Sequence, residues 1–268
     1  MRSLTLLIIA GGKSSRLGVD KRFVEVGGVT LLENILAKAA AQNFAEIFLC
    51  VEEILPPIKI LAEKYGVKIS VDKIQGAGPM AALATALEKI STDWALAVSV
   101  DMPFFQFESL TPLINFDVKV TVPIVNGRAQ PLAALYSKSM AEFFLRELSA
   151  GQRKLIDAIK KVPSKFVELS TDETIFFNVN TRANLQLARG RAANLSRRTP
   201  IISIVAPTSG TGKTTFIEKI LRELTDLKIG VVKSTHHKIS AENFTKDSYR
   251  FRLAGEKKFM WAKNFLTR

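Results

Sequence analysis

Short runs rich in β-branched and other apolar residues alternate along this chain with longer stretches in which apolar positions recur at helical spacing. The runs are Leu4–Ala10, Glu46–Val51, Lys68–Val71, Trp94–Val100, Val118–Val125 and Ala129–Tyr136. A run apolar throughout, such as Leu4–Ala10, predicts a strand buried on both faces. The intervening patterns predict helices over Leu31–Ala41, Met80–Lys89 and Lys138–Leu148; Leu31, Ile35 and Ala39 fall on one helical face. This alternation predicts a mainly parallel sheet covered by helices. Gly127, between the runs ending at Val125 and opening at Ala129, predicts a hairpin, so the sheet is expected to be mixed.

A helix over Thr181–Ala193 then meets Asn194-Leu195-Ser196-Arg197-Arg198-Thr199-Pro200, a polar, basic stretch ending in proline. Such a stretch predicts a boundary. We expect one domain over 1–194, a linker over 195–200 and a second unit over 201–268. The second unit starts afresh with a strand over Ile201–Ala206, a Gly/Ser/Thr loop, a helix over Thr214–Thr225 and a strand over Ile229–Lys233.

Composition narrows the picture. Apolar residues make up 47% of the 268 residues and charged ones 24%, which is ordinary globular chemistry. The basic, apolar N-terminus passes straight into Gly11-Gly12-Lys13-Ser14-Ser15-Arg16 without a small-residue cleavage pattern, so it reads as a first strand and not as a signal peptide. No apolar stretch approaches the roughly 18 to 20 residues of a bilayer span, so no membrane association is expected. The single cysteine, Cys50, excludes an intrachain disulfide and fits a reducing, cytoplasmic setting. The net charge of +13 is uneven: residues 1–195 hold 23 Lys+Arg against 19 Asp+Glu, and residues 196–268 hold 15 against 6. The basic tail suits phosphate-bearing small ligands or an acidic partner. It carries no zinc-finger spacing or aromatic RNA-binding signature, which argues against nucleic acid.

The most informative stretch runs from Leu7 to Lys21, where a strand feeds the loop Gly11-Gly12-Lys13-Ser14-Ser15-Arg16. Backbone N–H groups at Gly11 and Gly12 can approach phosphate oxygens closely, and Arg16 and Lys21 add positive charge. In-line attack at the α-phosphorus of a nucleoside triphosphate builds charge on the leaving pyrophosphate, and fixed cations serve that reaction. A Gly-rich surface turn with solvated basic residues is the plainer alternative. Asp101 follows the run Trp94–Val100 and so falls at the carboxyl end of a buried strand, where open α/β sheets bind ligands. A lone carboxylate there suits Mg²⁺, which takes one or two protein carboxylates plus phosphate oxygens and waters. It suits an N-cap for a following helix as well.

The loop resembles that of the molybdenum cofactor guanylyltransferases, the molybdopterin-guanine dinucleotide biosynthesis protein A family. The resemblance continues in order through Gly78-Pro79-Met80-Ala81-Ala82-Leu83, Val100-Asp101-Met102-Pro103-Phe104, Gln130-Pro131-Leu132 and Asn178-Val179-Asn180-Thr181. It implies a Rossmann-like nucleotidyltransferase, a three-layer α/β/α domain with a mixed sheet. The implied activity is transfer of GMP from GTP to molybdopterin with release of pyrophosphate. A cytidylyltransferase on a related acceptor, or a GTP-binding accessory protein, are the alternatives. The implied nucleotide contacts are Ile9, Ala10, Gly11, Gly12, Lys21, Asp72 and Asp101. Arg16, Lys21 and Asp101 are the implied catalytic residues, and Asp101 holds the metal. Asp72, just past Lys68–Val71, aligns with the acid that reads guanine, since a carboxylate accepts N–H donors from both N1 and N2. Asn178 and Asn180 orient the acceptor or a metal-bound water, or cap the next helix. The family often has an asparagine where this chain has Cys50. Phe104, Phe105 and Phe107 are expected in the core.

In the second unit, Pro207-Thr208-Ser209-Gly210-Thr211-Gly212-Lys213-Thr214-Thr215 has the make-up of a Walker A loop between a strand and a helix. Ser209, Gly210, Thr211, Gly212, Lys213, Thr214 and Thr215 are its candidate nucleotide contacts, and Pro207 replaces the usual opening glycine. With Gly230–His237 and Lys246–Arg250 it resembles molybdopterin-guanine dinucleotide biosynthesis protein B, the GTP-binding partner of the guanylyltransferase. That implies molybdenum cofactor biosynthesis proteins, or self-association through the tail, as partners. After Lys233 no apolar run ends in an aspartate. Two expected strands and a helix make a meagre core, so the unit is expected to be partial, with Phe259, Met260 and Trp261 lacking an internal surface. His236 and His237, adjacent in sequence, point apart on a strand end and are expected to meet solvent or a partner.

Overall fold

The computed structural model describes residues 4–12, 16–114, 116–196, 201–204, 211–224, 229–235 and 258–263. The chain divides into two compact units, residues 1–200 and 201–268.

In the first unit the elements are β1 (Thr5–Ile9), β2 (Glu25–Val26), β3 (Val29–Thr30), α1 (Leu31–Ala40), β4 (Glu46–Val51), α2 (Pro56–Tyr65), β5 (Lys68–Val71) and α3 (Pro79–Lys89). After these come β6 (Trp94–Ser99), β7 (Val120–Val125), β8 (Arg128–Ala129), β9 (Ala133–Ser137), α4 (Met140–Ser149), α5 (Leu155–Ile159), β10 (Ser164–Glu168) and α6 (Arg182–Leu195). The main sheet runs β10-β7-β9-β6-β1-β4-β5, with β8 paired to β7. The strands β6, β1, β4 and β5 are mutually parallel, whereas β9 is antiparallel to both β6 and β7, so the sheet is mixed. Asn126-Gly127 closes the β7–β8 hairpin, the turn chemistry that favours a two-residue loop.

Every residue of β1 is buried. Leu6 and Ile8 face one core with α1, α2 and the Phe105–Phe107 segment, while Leu7 and Ile9 face the other with α3, α4 and α5. The period of two thus sends alternate side chains of one strand into two apolar layers, giving an α/β/α sandwich. Phe105 and Phe107 are fully buried and meet edge to face.

Several elements depart from the sequence reading. Helices α2 and α5, strand β10 and the small β2–β3 hairpin were not anticipated; α2 opens on Pro56-Pro57, a pair that also reads as a loop. The run Ala129–Tyr136 is divided between β8 and β9 by the Gln130-Pro131-Leu132 turn, because proline has no N–H for a ladder.

The second unit contains α7 (Lys213–Glu223) and the parallel pair β11 (Gly230–Thr235) and β12 (Lys258–Lys263). Leu221 is buried there, with Ile217, Ile229 and Val231 packed against it. The expected strand over Ile201–Ala206 is not formed over 201–204, where Ile201 and Ile202 are exposed. Residues 205 and 206, with Pro207, Ser209, Gly210, His236 and His237, lie outside the described residues. Strand β12, which contains Phe259, Met260 and Trp261, was missed, so these residues belong to a paired element. No described helix is long and apolar enough to cross a membrane.

Candidate active site

The four parallel strands β6, β1, β4 and β5 end at one edge of the sheet, where a cleft of about 380 Å³ opens. Its floor is supplied by residues within three positions of each strand's end: Asp101 after β6, Gly11 and Gly12 after β1, Glu52 after β4 and Asp72 after β5. Ile9 and Ser99, the last residues of β1 and β6, lie between them.

At the β6 end, Lys21 Nζ donates to Asp101 Oδ2 at 3.0 Å. Asp101 is only 4% exposed, and its Oδ1 is buried without a hydrogen-bond partner. The Asp101 carbonyl accepts from Val179 N at 2.9 Å, which brings Asn178 and Asn180 to the same wall. Neither asparagine caps α6: Thr181 does, accepting from Asn184 N, while Asn178 Nδ2 donates to the Phe176 carbonyl. Asp101 caps no helix either, since the next 3₁₀ segment, Phe107–Leu113, opens at Gln106. The loop after Asp101 is held from α1, where Asn34 Nδ2 and Lys38 Nζ both donate to the Pro103 carbonyl at 2.7 Å. Burial pushes the Lys38 ammonium pKa below its ordinary value.

Two glycines shape the phosphate-sized part of the cleft. Gly12 has φ +115°, and Gly78 has φ +76° and ψ −167°, regions that side chains other than glycine rarely adopt. Gly78 opens α3, with Pro79 in its first turn and Ala82 one turn on, all lining the cleft. The positive end of the helix dipole therefore faces it. Ala10 is buried beneath this wall, its N–H given to the Cys50 carbonyl, and Arg16 is exposed and outside the lining. Residues 13–15 lie outside the described residues.

At the β5 end, Asp72 is 8% exposed, with its N–H on the Val51 carbonyl and its Oδ1 buried and unpartnered. Burial, with the negative charge of Glu52 adding to it, pushes its carboxyl up to about 7, against the pull of Lys89. A Cβ on Gly11 would lie 3.5 Å from Glu52 Cγ and 3.7 Å from Asp72 Oδ2, so the two acids flank that glycine. The sequence reading passed over Glu52. The available signal was its place directly after an apolar run, the place that Asp72 also holds. Cys50 is buried outside the lining, its thiol pKa pushed up by burial.

The residues present fit a divalent metal carried in with phosphates. A buried carboxylate oxygen lacking a donor is costly unless a cation or donor meets it, and Asp101 Oδ1 is one. Among the described residues no group of three or more His, Cys, Asp or Glu is placed to hold a metal alone. One carboxylate completed by phosphate oxygens and water is the remaining arrangement.

In the second unit Gly212 precedes α7 and Lys213 opens it, with Lys213 Nζ 3.4 Å from Thr211 Oγ1 and with Thr214 and Thr215 in the first turn.

The model of the MobA-like NTP transferase domain matches residues 6–163. The chain belongs to the MobA-like NTP transferase family. A second model, molybdopterin guanine dinucleotide synthesis protein B, matches residues 201–265. A Pelotomaculum thermopropionicum protein named "Probable molybdenum cofactor guanylyltransferase" is 32% identical over 204 residues, covering 72% of this chain and 96% of its own. A Clostridium perfringens protein of the same name is 32% identical over 188 residues, covering 65% and 90%. Among solved structures, molybdopterin-guanine dinucleotide biosynthesis protein A from Archaeoglobus fulgidus matches with TM-score 0.62 at 22% identity, over 71% of this chain and 99% of its own. This MobA-like chain is a nucleotidyltransferase.

Proposed function

We propose that the chain transfers GMP from GTP to molybdopterin, releasing pyrophosphate and forming molybdopterin guanine dinucleotide. The names of its relatives support the reaction. The observation that carries the site is one cleft with a Lys21–Asp101 pair at one end and the unpartnered acid Asp72 at the other.

In this reading the triphosphate lies along Gly11, Gly12 and the N-terminus of α3, whose N–H groups take its oxygens. Asp101 would hold Mg²⁺ through its unpartnered oxygen, and the ion would supply charge neutralisation at the phosphates. Lys21 stabilises the charge that develops as the bond from the α-phosphorus to pyrophosphate breaks, and Arg16 adds to the positive field. Asn178 and Asn180 orient the acceptor, whose terminal phosphate oxygen forms the new bond to the α-phosphorus. That oxygen is already ionised, so no general base is required. Ionised Asp72 accepts the N1–H and N2–H donors of guanine, a pair that cytosine lacks. In the second unit, Ser209, Gly210, Thr211, Gly212, Lys213, Thr214 and Thr215 hold the phosphates of a second nucleotide.

The test is pyrophosphate release by the full chain with Mg²⁺ and molybdopterin, comparing GTP with CTP. GTP-selective release that Asp101→Ala abolishes is expected. CTP preference would make the chain a cytidylyltransferase, and GTP binding without release would make it an accessory protein.

A further inference from the structure

Glu52 is the one acid of the cleft without a role so far, and its place in the sheet suggests one. In sheet order the cleft floor reads Asp101 after β6, Gly11 after β1, Glu52 after β4 and Asp72 after β5. With neighbouring strands about 4.8 Å apart, the two outer residues are separated by roughly three spacings. A nucleotide laid along this edge, phosphates at Lys21–Asp101 and base at Asp72, must bridge that span with its sugar. The sugar then crosses Gly11 and Glu52. Glu52 Cγ lies 3.5 Å from where a Gly11 Cβ would be, so this side chain stands beside a floor residue that has none. Among the described residues no ion pair engages Glu52.

We propose that Glu52 reads the ribose, its carboxylate accepting hydrogen bonds from the 2′- and 3′-hydroxyls of the bound nucleoside triphosphate. The inference rests on the placement of base and phosphates given above. It makes Glu52 a specificity residue that selects ribonucleotides over sugars lacking these donors. A carboxylate has acceptor capacity for two hydroxyls at once, and charged hydrogen bonds of this kind are the stronger class. Removing both hydroxyls also leaves Glu52 desolvated with nothing to accept from, which adds to the discrimination.

The experiment is equilibrium binding of GTP and 2′,3′-dideoxyGTP to the full chain with Mg²⁺, for wild type, Glu52→Ala and Glu52→Gln, about two units above the pH at which Asp72 ionises so that it is charged in every variant. Wild type is expected to prefer GTP by about tenfold or more. Glu52→Ala is expected to bring the two nucleotides within about threefold by weakening GTP, with dideoxyGTP bound as well as before. The unchanged dideoxyGTP affinity reports an intact cleft, and Glu52→Gln, which keeps one acceptor, is expected to fall between. A wild-type ratio retained in Glu52→Ala, or no preference in wild type, overturns the ribose contact. Equal weakening of both nucleotides also overturns it, because the residue then serves the base or the fold. Ribose selectivity without pyrophosphate release to molybdopterin would instead sink the proposed reaction and leave this contact standing.

Discussion

The two ends of the cleft solve the same problem, a buried carboxylate, in opposite ways. Asp101 shares its burial with a cation, Lys21 at 3.0 Å, and holds its second oxygen unpartnered. Asp72 has no such cation; burial and Glu52 push its carboxyl up to about 7. One end stores charge to meet a metal and phosphates. The other leaves an acceptor without a donor, the deficit that the proposed guanine edge with two N–H groups would relieve. The contrast teaches that the proposed nucleotide has one favourable orientation, because exchanging its ends would set phosphate against the two acids.

The sharpest break of this contrast is at the paired end. Asp101→Ala is expected to lower pyrophosphate release by on the order of 10²–10³-fold, and Lys21→Ala by a similar factor, with GTP affinity changing far less in steady-state kinetics. Unchanged turnover in either variant removes its residue from the chemistry. At the other end the effect is smaller and pH-dependent. Since guanine is taken by the ionised form of Asp72, the Kd for GTP is expected to tighten by about tenfold per unit as pH rises towards 7, then to level off. A titration flat from pH 5.5 to 8 would count against the assignment.

The smallest effect concerns the nucleotide-free protein. The carboxyl of Asp72 is raised above its ordinary 3.8, so its contribution to stability is fully present below that value and is lost as pH climbs through about 7. Asp72→Asn is therefore expected to raise Tm by a few degrees at pH 8 and to leave it unchanged near pH 4. Thermal unfolding at both pH values checks this, and a lower Tm at pH 8 would mean that the carboxylate is compensated by a contact unseen here.

Much of this was legible in the chain. The unbroken apolar run before Gly11 could only be a strand covered on both faces, and β1 is buried at every position. Asp101 was found by a rule, a carboxylate immediately beyond an apolar run; Asp72 holds the same kind of place but was picked out through the family resemblance. Glu52 obeys that rule and was missed because it sits in the pair Glu52-Glu53, which reads as a solvated turn. The caps were ambiguous for a different reason. Asn178, Asn180 and Thr181 are all competent N-caps, and only the Val179 bond to the Asp101 carbonyl fixes which of them faces the cleft. In the second unit the apolar start at Ile201-Ile202 misled, since both side chains are exposed and hydrophobicity alone does not specify a strand.

The single thiol of the chain has a use of its own. Cys50 sits in β4 two residues before Glu52, packed with Met80, Leu83 and the rest of the layer beneath α3. A maleimide-type reagent reaches it only when strand and helix part, so the rate of modification is a clock for opening of the edge that carries the nucleotide. Saturating GTP should slow that clock by the factor it adds to the stability of the closed form, giving a count of breathing events that depends on neither the acceptor nor turnover.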